Sequence, residues 1–219
     1  MFMKKNLIAM SALALAFLCS TPVVRATDNP AKAKKVVAKP ATTLYVDPVA
    51  STLNWTAKKV GGGHNGTVKI SKGTLAIAGD KLTGGNFVMD MTTIADADQS
   101  ARLTTHLKSD DFFSVEKNPT STFVITKAAP VGKAKGGMAN YNITGNLTIK
   151  GITNPVTFPA VVKLNENGAE ATAKIEIDRL KWDIKFRSGI IGTAADKIIE
   201  DTFVMDVKLV AGKNNTAKL

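Results

Sequence analysis

Cysteine and histidine are scarce in this chain. Among its 219 residues there are one cysteine and two histidines. A disulfide framework needs cysteines in pairs, and a structural zinc site needs about four Cys or His ligands. Both kinds of stabilisation are therefore excluded, and the fold must rest on a hydrophobic core. The hydrophobic share of 44% is sufficient for such a core and rules out wholesale disorder.

Sequence motifs of common enzyme classes are also lacking. There is no Gly-x-Ser-x-Gly nucleophile elbow, and the three glycines at 61–63 are not followed by the Gly-Lys-Ser/Thr of a phosphate-binding loop. His64 and His106 are candidates for a base or a metal ligand, but no paired carboxylates accompany them. We therefore predict a protein that is not an enzyme and that uses no cofactor and no metal. Basic residues alternate with acidic ones on most predicted strands, which disfavours nucleic-acid binding.

The first 26 residues have the pattern of a secretory signal peptide. Two lysines precede an apolar run from Leu7 to Cys19, and a cleavage site is predicted after Ala26. The run of 13 residues is too short to cross a bilayer comfortably. Leu18 occupies a position where lipoprotein signals carry a small residue, so lipidation at Cys19 is disfavoured. The pattern predicts a periplasmic or secreted protein.

Residues 27–42 have the composition of a linker. They are rich in Lys, Ala and Pro, which predicts a flexible segment. A second interpretation is a tether to an anionic surface, since clustered lysines are attracted to one. This segment and residues 1–26 each carry a net charge of +3, so most of the formal charge of +11 lies outside the domain that follows. We predict that domain over residues 43–211, with a flexible tail over 212–219.

Strand patterns dominate the predicted domain. In its last strand, Phe203, Met205 and Val207 alternate with Asp206 and Lys208. Gly, Asn and Pro separate the successive runs, the later of which are predicted at 121–128, 139–150, 155–164, 169–178 and 202–210. No long helix is available for repeated crossovers, so the strands are predicted to be antiparallel. The fold class is therefore all-β, in a barrel or sandwich.

Two segments depart from the strand alternation. Residues 98–108 have helical spacing, with Asp98 or Ser100 as the capping residue, and predict one short helix over an end of the barrel. Residues 178–184 place an aromatic residue among alternating charges. Arg179 in this group either locks a strand turn, through an ion pair or a cation–π contact, or presents its guanidinium to an anionic head group. Both interpretations stay open.

Six segments, in this order along the chain, carry a resemblance to a known family: 53–58 (LNWTAK), 64–66 (HNG), 106–113 (HLKSDDFF), 118–123 (NPTSTF), 145–156 (GNLTIKGITNPV) and 177–179 (IDR). Together they resemble the YceI-like family of secreted lipid-binding proteins, and the similarity runs through most of residues 44–211. The resemblance implies an extended, lipocalin-like antiparallel β-barrel with one or two short helices. It also implies an elongated apolar tunnel that holds a polyisoprenoid or a similar amphiphile.

Individual tunnel residues are our inference, because the resemblance indicates only segments. The candidates for the tunnel wall are apolar and aromatic residues: Trp55, Phe87, Met89, Phe112, Phe113, Phe123, Leu147, Ile149, Phe158 and Phe203. Flexible methionines offer further adaptable apolar surface, at Met89, Met91, Met138 and Met205. The candidates for contacts to a ligand head group are His64, Lys108, Ser109 and Arg179. Burying one methylene group is worth about 0.8 kcal/mol, so a long tail supplies affinity without many polar contacts.

The sequence therefore predicts a secreted or periplasmic binding protein that transports, stores or sequesters an isoprenoid or lipid-like ligand. Its predicted partners are that amphiphile, a peripheral membrane contact and a second copy in a homodimer. Two alternatives stay open. One is an enzyme that acts on a bound lipid with His64 or His106 as the base. The other is a structural or adhesion protein of the cell envelope that the Lys-rich segment holds to a surface.

Overall fold

The computed structural model describes residues 41–132 and 138–214. The predicted signal peptide, nearly all of the predicted linker and the end of the predicted tail lie outside these residues. Within these residues, one α-helix and nine strands follow along the chain. Their bounds are β1 (Ala41–Val46), β2 (Thr52–Lys59), β3 (Gly62–Ala78), β4 (Lys81–Asp96), α1 (Ala101–Lys108), β5 (Thr120–Pro130), β6 (Tyr141–Ile149), β7 (Ile152–Leu164), β8 (Gly168–Asp178) and β9 (Ile199–Gly212).

The strands form one closed antiparallel sheet. Its order is β1-β3-β2-β9-β8-β7-β6-β5-β4, and β4 pairs again with β3 to close the ring. Strands β1 and β2 both lie between β3 and β9, each against a different stretch of those two strands. They therefore share one position, interrupted at residues 47–51, and the barrel has eight strand positions. The prediction of an all-β, lipocalin-like antiparallel barrel is confirmed.

The core lies inside the barrel because side chains alternate across each strand. In β6, Tyr141, Ile143 and Leu147 are buried, whereas Asn142 and Asn146 are exposed. This period of two is the alternation expected for a strand with one face against a core and one in water. The apolar set of each strand therefore faces the same interior.

Strand β7 begins earlier than its predicted start near Pro155. Lys150 and Gly151 have φ angles of 52° and 72°, in the left-handed region. Two successive residues of this kind form the tight turn that suits a two-residue hairpin. Ile149 therefore pairs directly with Ile152, and the strand starts at once after the turn.

Helix α1 confirms the single short helix predicted between the strands. Of the two predicted capping residues, Ser100 is the one that caps it, because its hydroxyl accepts a hydrogen bond from the Leu103 N–H at 3.2 Å. Ser109 ends the helix, and its hydroxyl donates to the carbonyl of His106 at 2.7 Å. Leu107 is buried and anchors the helix against the barrel. Within residues 41–132 and 138–214, no helix combines the length and apolar character that a membrane crossing requires.

Three short 3-10 helices occupy the segment between β8 and β9, at Arg179–Trp182, Gly189–Ile191 and Ala195–Lys197. Trp182 is fully buried, and its indole N–H donates to the carbonyl of Leu147 in β6 at 3.2 Å. The Asn154 side chain in β7 donates to the carbonyl of Lys181 at 2.8 Å. These contacts attach the start of the segment to the barrel wall.

Candidate functional site

The barrel encloses a cavity. The space open to the centre of a water-sized sphere is about 210 Å³. A water molecule takes about 30 Å³ in the liquid, so the cavity has room for at least about seven groups of that size. Strands β2 to β9 all contribute to its lining, together with Leu107 of α1. The cavity is therefore the interior of the barrel itself and not a surface cleft.

Hydrocarbon makes up nearly all of the cavity surface. Four of the lining residues have polar side chains, namely Ser121, Thr172, Arg179 and Glu200. The Ser121 hydroxyl is already engaged, since it donates to the carbonyl of Thr148 at 3.0 Å. A cavity with such walls offers little to water and suits an apolar ligand.

One row of inward side chains across β2, β8 and β9 is only half-buried. Val207 of β9 lies opposite Leu53 of β2 on one side and Ala173 of β8 on the other, and all three are half-buried. The corresponding inward residues of β6, such as Leu147, are buried. Because the sheet is closed, the exposed surface of this row faces the cavity. A ligand in the cavity would cover it.

Strands β7 and β8 diverge beside the cavity. Within the described residues, their pairing is confined to Ala160–Leu164 with Ala169–Ala173. Pro155 and Pro159 lie in the part of β7 before this ladder, and proline has no N–H to donate to a neighbouring strand. Ile175, in the diverging part of β8, is half-buried and lines the cavity.

All ten residues predicted for the tunnel wall line this cavity. Three of them form a chain of aromatic rings, in which the Phe123 centroid lies 6.2 Å from Phe87 and 5.7 Å from Phe158. Gly145 of β6 makes room for this chain, because a Cβ atom there would overlap the Phe123 ring. The structure thus brings the predicted wall together. Contact of each residue with a ligand stays a prediction.

The predicted wall omitted strand β8. Ala171, Ala173 and Ile175 line the cavity, and they alternate with the charged residues Glu170 and Lys174. This alternation of apolar and charged residues is the sequence pattern from which the inward face of β8 could have been predicted. The two alanines are small, and small inward side chains leave room inside a barrel of eight strands.

Arg179 is the one head-group candidate that lines the cavity, and it is only 4% exposed. Its five N–H groups all donate within the protein, to the carbonyls of Glu200 (3.1 Å), Ile184 (2.8 Å), Phe186 (3.0 Å) and Ile199 (3.1 Å) and to Asp201 Oδ1 (3.1 Å). Burial lowers the pKa of Arg179, against the opposing effect of Asp201 and Asp178. These hydrogen bonds fix the turn after β8, as the first of the two interpretations of Arg179 predicts. A ligand head group would have to displace one of them.

Three other head-group candidates, His64, Lys108 and Ser109, lie outside the cavity lining within the described part of the chain. Lys108 and Ser109 form the end of α1. His64 Nδ1 lies 3.8 Å from Asp96 Oδ1, which is too long for a hydrogen bond. Whether these residues meet a head group stays a prediction.

Each histidine is associated with its own aspartate. His106 Nε2 lies 2.8 Å from Asp111 Oδ2, and its ring packs edge-on against Phe112 and Phe186. His64 is beside Asp96 instead. Among the residues that the structure describes, no group of three or more His, Cys, Asp or Glu side chains is placed to hold a metal ion.

Comparison with known sequences identifies relatives over part of the chain. The YceI-like domain matches residues 44–211. A UPF0312 protein of Pseudomonas aeruginosa (strain LESB58) is 39% identical over 102 residues, which are 47% of this chain and 44% of the relative. A UPF0312 protein of Azotobacter vinelandii is 30% identical over 95 residues, 43% of this chain and 47% of the relative. The chain thus spans less than half the length of these curated relatives.

Two solved structures have the same fold. The crystal structure of Burkholderia cenocepacia BcnA matches with a TM-score of 0.61 at 24% identity, over 75% of this chain and 98% of that one. A polyisoprenoid binding domain from Saccharophagus degradans, implicated in plant cell wall breakdown, matches with a TM-score of 0.55 at 14% identity. The match covers 79% of this chain and 99% of that one. Because the family match extends over most of the described barrel, the chain belongs to the YceI-like domain family.

Proposed function

We propose that this protein binds the tail of a polyisoprenoid or a similar amphiphilic lipid inside its barrel and that it catalyses no reaction on it. The observation that carries the proposal is the interior cavity, whose walls are hydrocarbon and partly uncovered. The structural relative from Saccharophagus degradans, described as a polyisoprenoid binding domain, supports the same ligand class.

The size of the cavity supports a lipid tail energetically. Room for at least about seven methylene-sized groups, at about 0.8 kcal/mol for each methylene removed from water, gives a gross gain of at least about 6 kcal/mol. Ordering the tail and losing its free tumbling offset part of this gain. The net affinity therefore comes from the hydrocarbon, and the polar end of the ligand adds orientation.

The polar end is expected near the start of β9. Glu200 is exposed to solvent and also contributes to the cavity lining, and the neighbouring Ile199 is half-buried. The cavity therefore approaches the surface at these residues. A ligand oriented in this way keeps its tail in the barrel and its head group in water, so neither desolvation of the head group nor exposure of the tail is required.

We place this activity in the periplasm or outside the cell, where the predicted signal peptide would direct the chain. A lipid tail is insoluble in such an aqueous compartment, and a closed barrel shields it during transport or storage. Exchange with a membrane is part of this proposal, because membranes are where such amphiphiles reside.

The test is the lipid content of the protein as it is purified, with no lipid added. Solvent extraction followed by mass spectrometry is expected to release a prenyl or other long-chain lipid, and native mass spectrometry is expected to show its mass on the protein. The variants His64→Ala and His106→Ala should carry the same lipid, since neither histidine lines the cavity. Protein that arrives empty and takes up neither prenyl quinones nor prenyl phosphates would contradict the proposal.

A further inference from the structure

Three large aliphatic side chains are exposed on two neighbouring loops. Val60, in the turn between β2 and β3, is 56% exposed, and Ile190 and Ile191, between β8 and β9, are 68% and 54% exposed. We call these three residues the apolar tip. Aliphatic side chains exposed singly are ordinary, but a cluster of them indicates an interaction surface.

The two loops of the apolar tip are joined through Ile198. The Val60 N–H donates to the carbonyl of Ile198 at 3.0 Å. On its other side, the Ile198 Cδ1 atom lies 3.6 Å from the place a Cβ atom would take on Gly189, the residue before Ile190. The three side chains therefore lie at the same end of the barrel.

Buried anchors hold the isoleucines in this exposed position. Ser188 is fully buried, and its hydroxyl and carbonyl accept hydrogen bonds from the N–H groups of Ile190 (3.3 Å) and Ile191 (3.4 Å). The Ile199 N–H donates to the carbonyl of Arg187 at 2.9 Å, which closes the base of the loop. A segment fixed at its base with its isoleucines outward is arranged to present them.

The surroundings of the apolar tip are predominantly basic. The exposed basic residues on the two loops and their flanks are Lys58, Lys59, Lys181, Lys185, Arg187 and Lys197. Three exposed acidic residues lie on the same segments, Asp183, Asp196 and Glu200, and Asp183 pairs with Lys185 at 2.5 Å. The exposed charges on these segments therefore sum to a positive net charge.

We propose that the apolar tip and its basic surroundings dock on a membrane that contains anionic lipids. Aliphatic side chains enter the boundary of the acyl region, while lysine and arginine are attracted to anionic head groups. Ile199 and Glu200, which line the cavity, follow Ile198 directly in the chain. Docking thus places the cavity beside the bilayer. The use of this position for lipid exchange rests on the proposed function, but the docking itself is measured without any ligand.

Co-sedimentation with vesicles tests the docking. Wild-type protein is expected to sediment with vesicles of phosphatidylcholine and phosphatidylglycerol, and less with phosphatidylcholine alone. The double variant Ile190→Glu/Ile191→Glu is expected to bind the mixed vesicles at least about tenfold more weakly, since it places charge where the aliphatic contact is made. Added salt is expected to weaken wild-type binding, because it screens the basic residues.

A matched control lies away from the apolar tip, partway along the barrel wall between β1 and β2. Val49 is 94% exposed and precedes β2, whereas Val60 follows it, so the eight residues of β2 separate them by roughly 26 Å. Val49→Glu should bind vesicles as the wild type does. All variants keep the same residues 27–42, so the lysines of that segment contribute equally to each measurement.

Three outcomes would overturn the docking proposal. In the first, the wild-type protein fails to bind anionic vesicles, and in the second, the double variant binds them with unchanged affinity. The third outcome is that a second copy of the chain covers the tip, in which case the double variant changes the oligomeric state. Uptake of a polyprenol from solution separates this proposal from the proposed function. The double variant should take up the polyprenol normally. If the wild type takes up none, the proposed function fails, and the vesicle result still decides the docking.

Discussion

Replacing Ala173 with tryptophan is expected to abolish lipid uptake while leaving the barrel folded. Ala173 is an inward residue of β8, half-buried, and it lines the cavity next to Val207. An indole there would occupy space that a lipid tail needs. Binding of a polyprenol, measured by titration, should weaken at least about a hundredfold, which is about 2.7 kcal/mol. Filling a void removes a source of instability, so the free energy of unfolding should change little.

The neighbouring residue supplies the control. Lys174 is exposed and points to the outside of the barrel, because side chains alternate along β8. Lys174→Trp introduces the same side chain one residue along, and it should bind the polyprenol as tightly as the wild type. If Ala173→Trp binds with unchanged affinity, the ligand does not use the cavity. Equal loss in both variants would instead indicate damage to the sheet.

Replacing Arg179 with methionine is expected to destabilise the protein by about 3 kcal/mol, the lower end of the usual cost of removing one partner from a buried ion pair, because the Asp201 side chain is 32% exposed. Methionine keeps apolar bulk but donates nothing. Asp201 and four backbone carbonyls would lose the N–H groups that now reach them from the guanidinium. Partly buried acceptors without partners are costly. Chemical denaturation followed by tryptophan fluorescence measures the change.

An exposed ion pair in the same segment provides the comparison. Lys185 pairs with Asp183 at the surface, and such pairs contribute about 0–1 kcal/mol. Lys185→Ala should therefore unfold nearly as the wild type does. Arg179→Lys should recover only part of the stability, because an ammonium group cannot reach five acceptors with a planar fork. If Arg179→Met lowers the free energy of unfolding by no more than Lys185→Ala does, the hydrogen bonds of Arg179 do not stabilise this turn as the geometry indicates.

The all-β class was predictable because its determinants are local, whereas the family resemblance predicted a barrel and not a sandwich. Alternation in strands such as β6 and β9, together with turn residues between runs, fixed the class and the inward set. All ten predicted wall residues line the cavity, including Phe112 and Phe113, which lie between α1 and β5. What was not predictable is that β1 and β2 share one position, since this depends on pairing with distant parts of β3 and β9. β1 also begins at Ala41, inside the predicted linker, because its pairing with β3 starts there.

The alternation of apolar and polar residues indicates which side chains face inward only within strands. Outside the strands, the sequence predicted fewer side-chain positions correctly. Among the four methionines proposed as adaptable surface, Met89, Met91 and Met205 line the cavity, but Met138 lies before β6 and is exposed. The role of Arg179 was likewise left between two interpretations. Its acceptors lie up to 22 residues away along the chain, on a segment whose path only tertiary structure defines.

One lipid tail inside each barrel is the property on which the proposed function depends. Native mass spectrometry of the wild-type protein mixed with a polyprenol tests it most directly, in a titration alongside Ala173→Trp. The wild type is expected to form a saturable complex of one polyprenol per chain, and the variant is expected to form none at the same concentration. A wild-type protein that forms no complex, or binds several polyprenols without saturation, would contradict it.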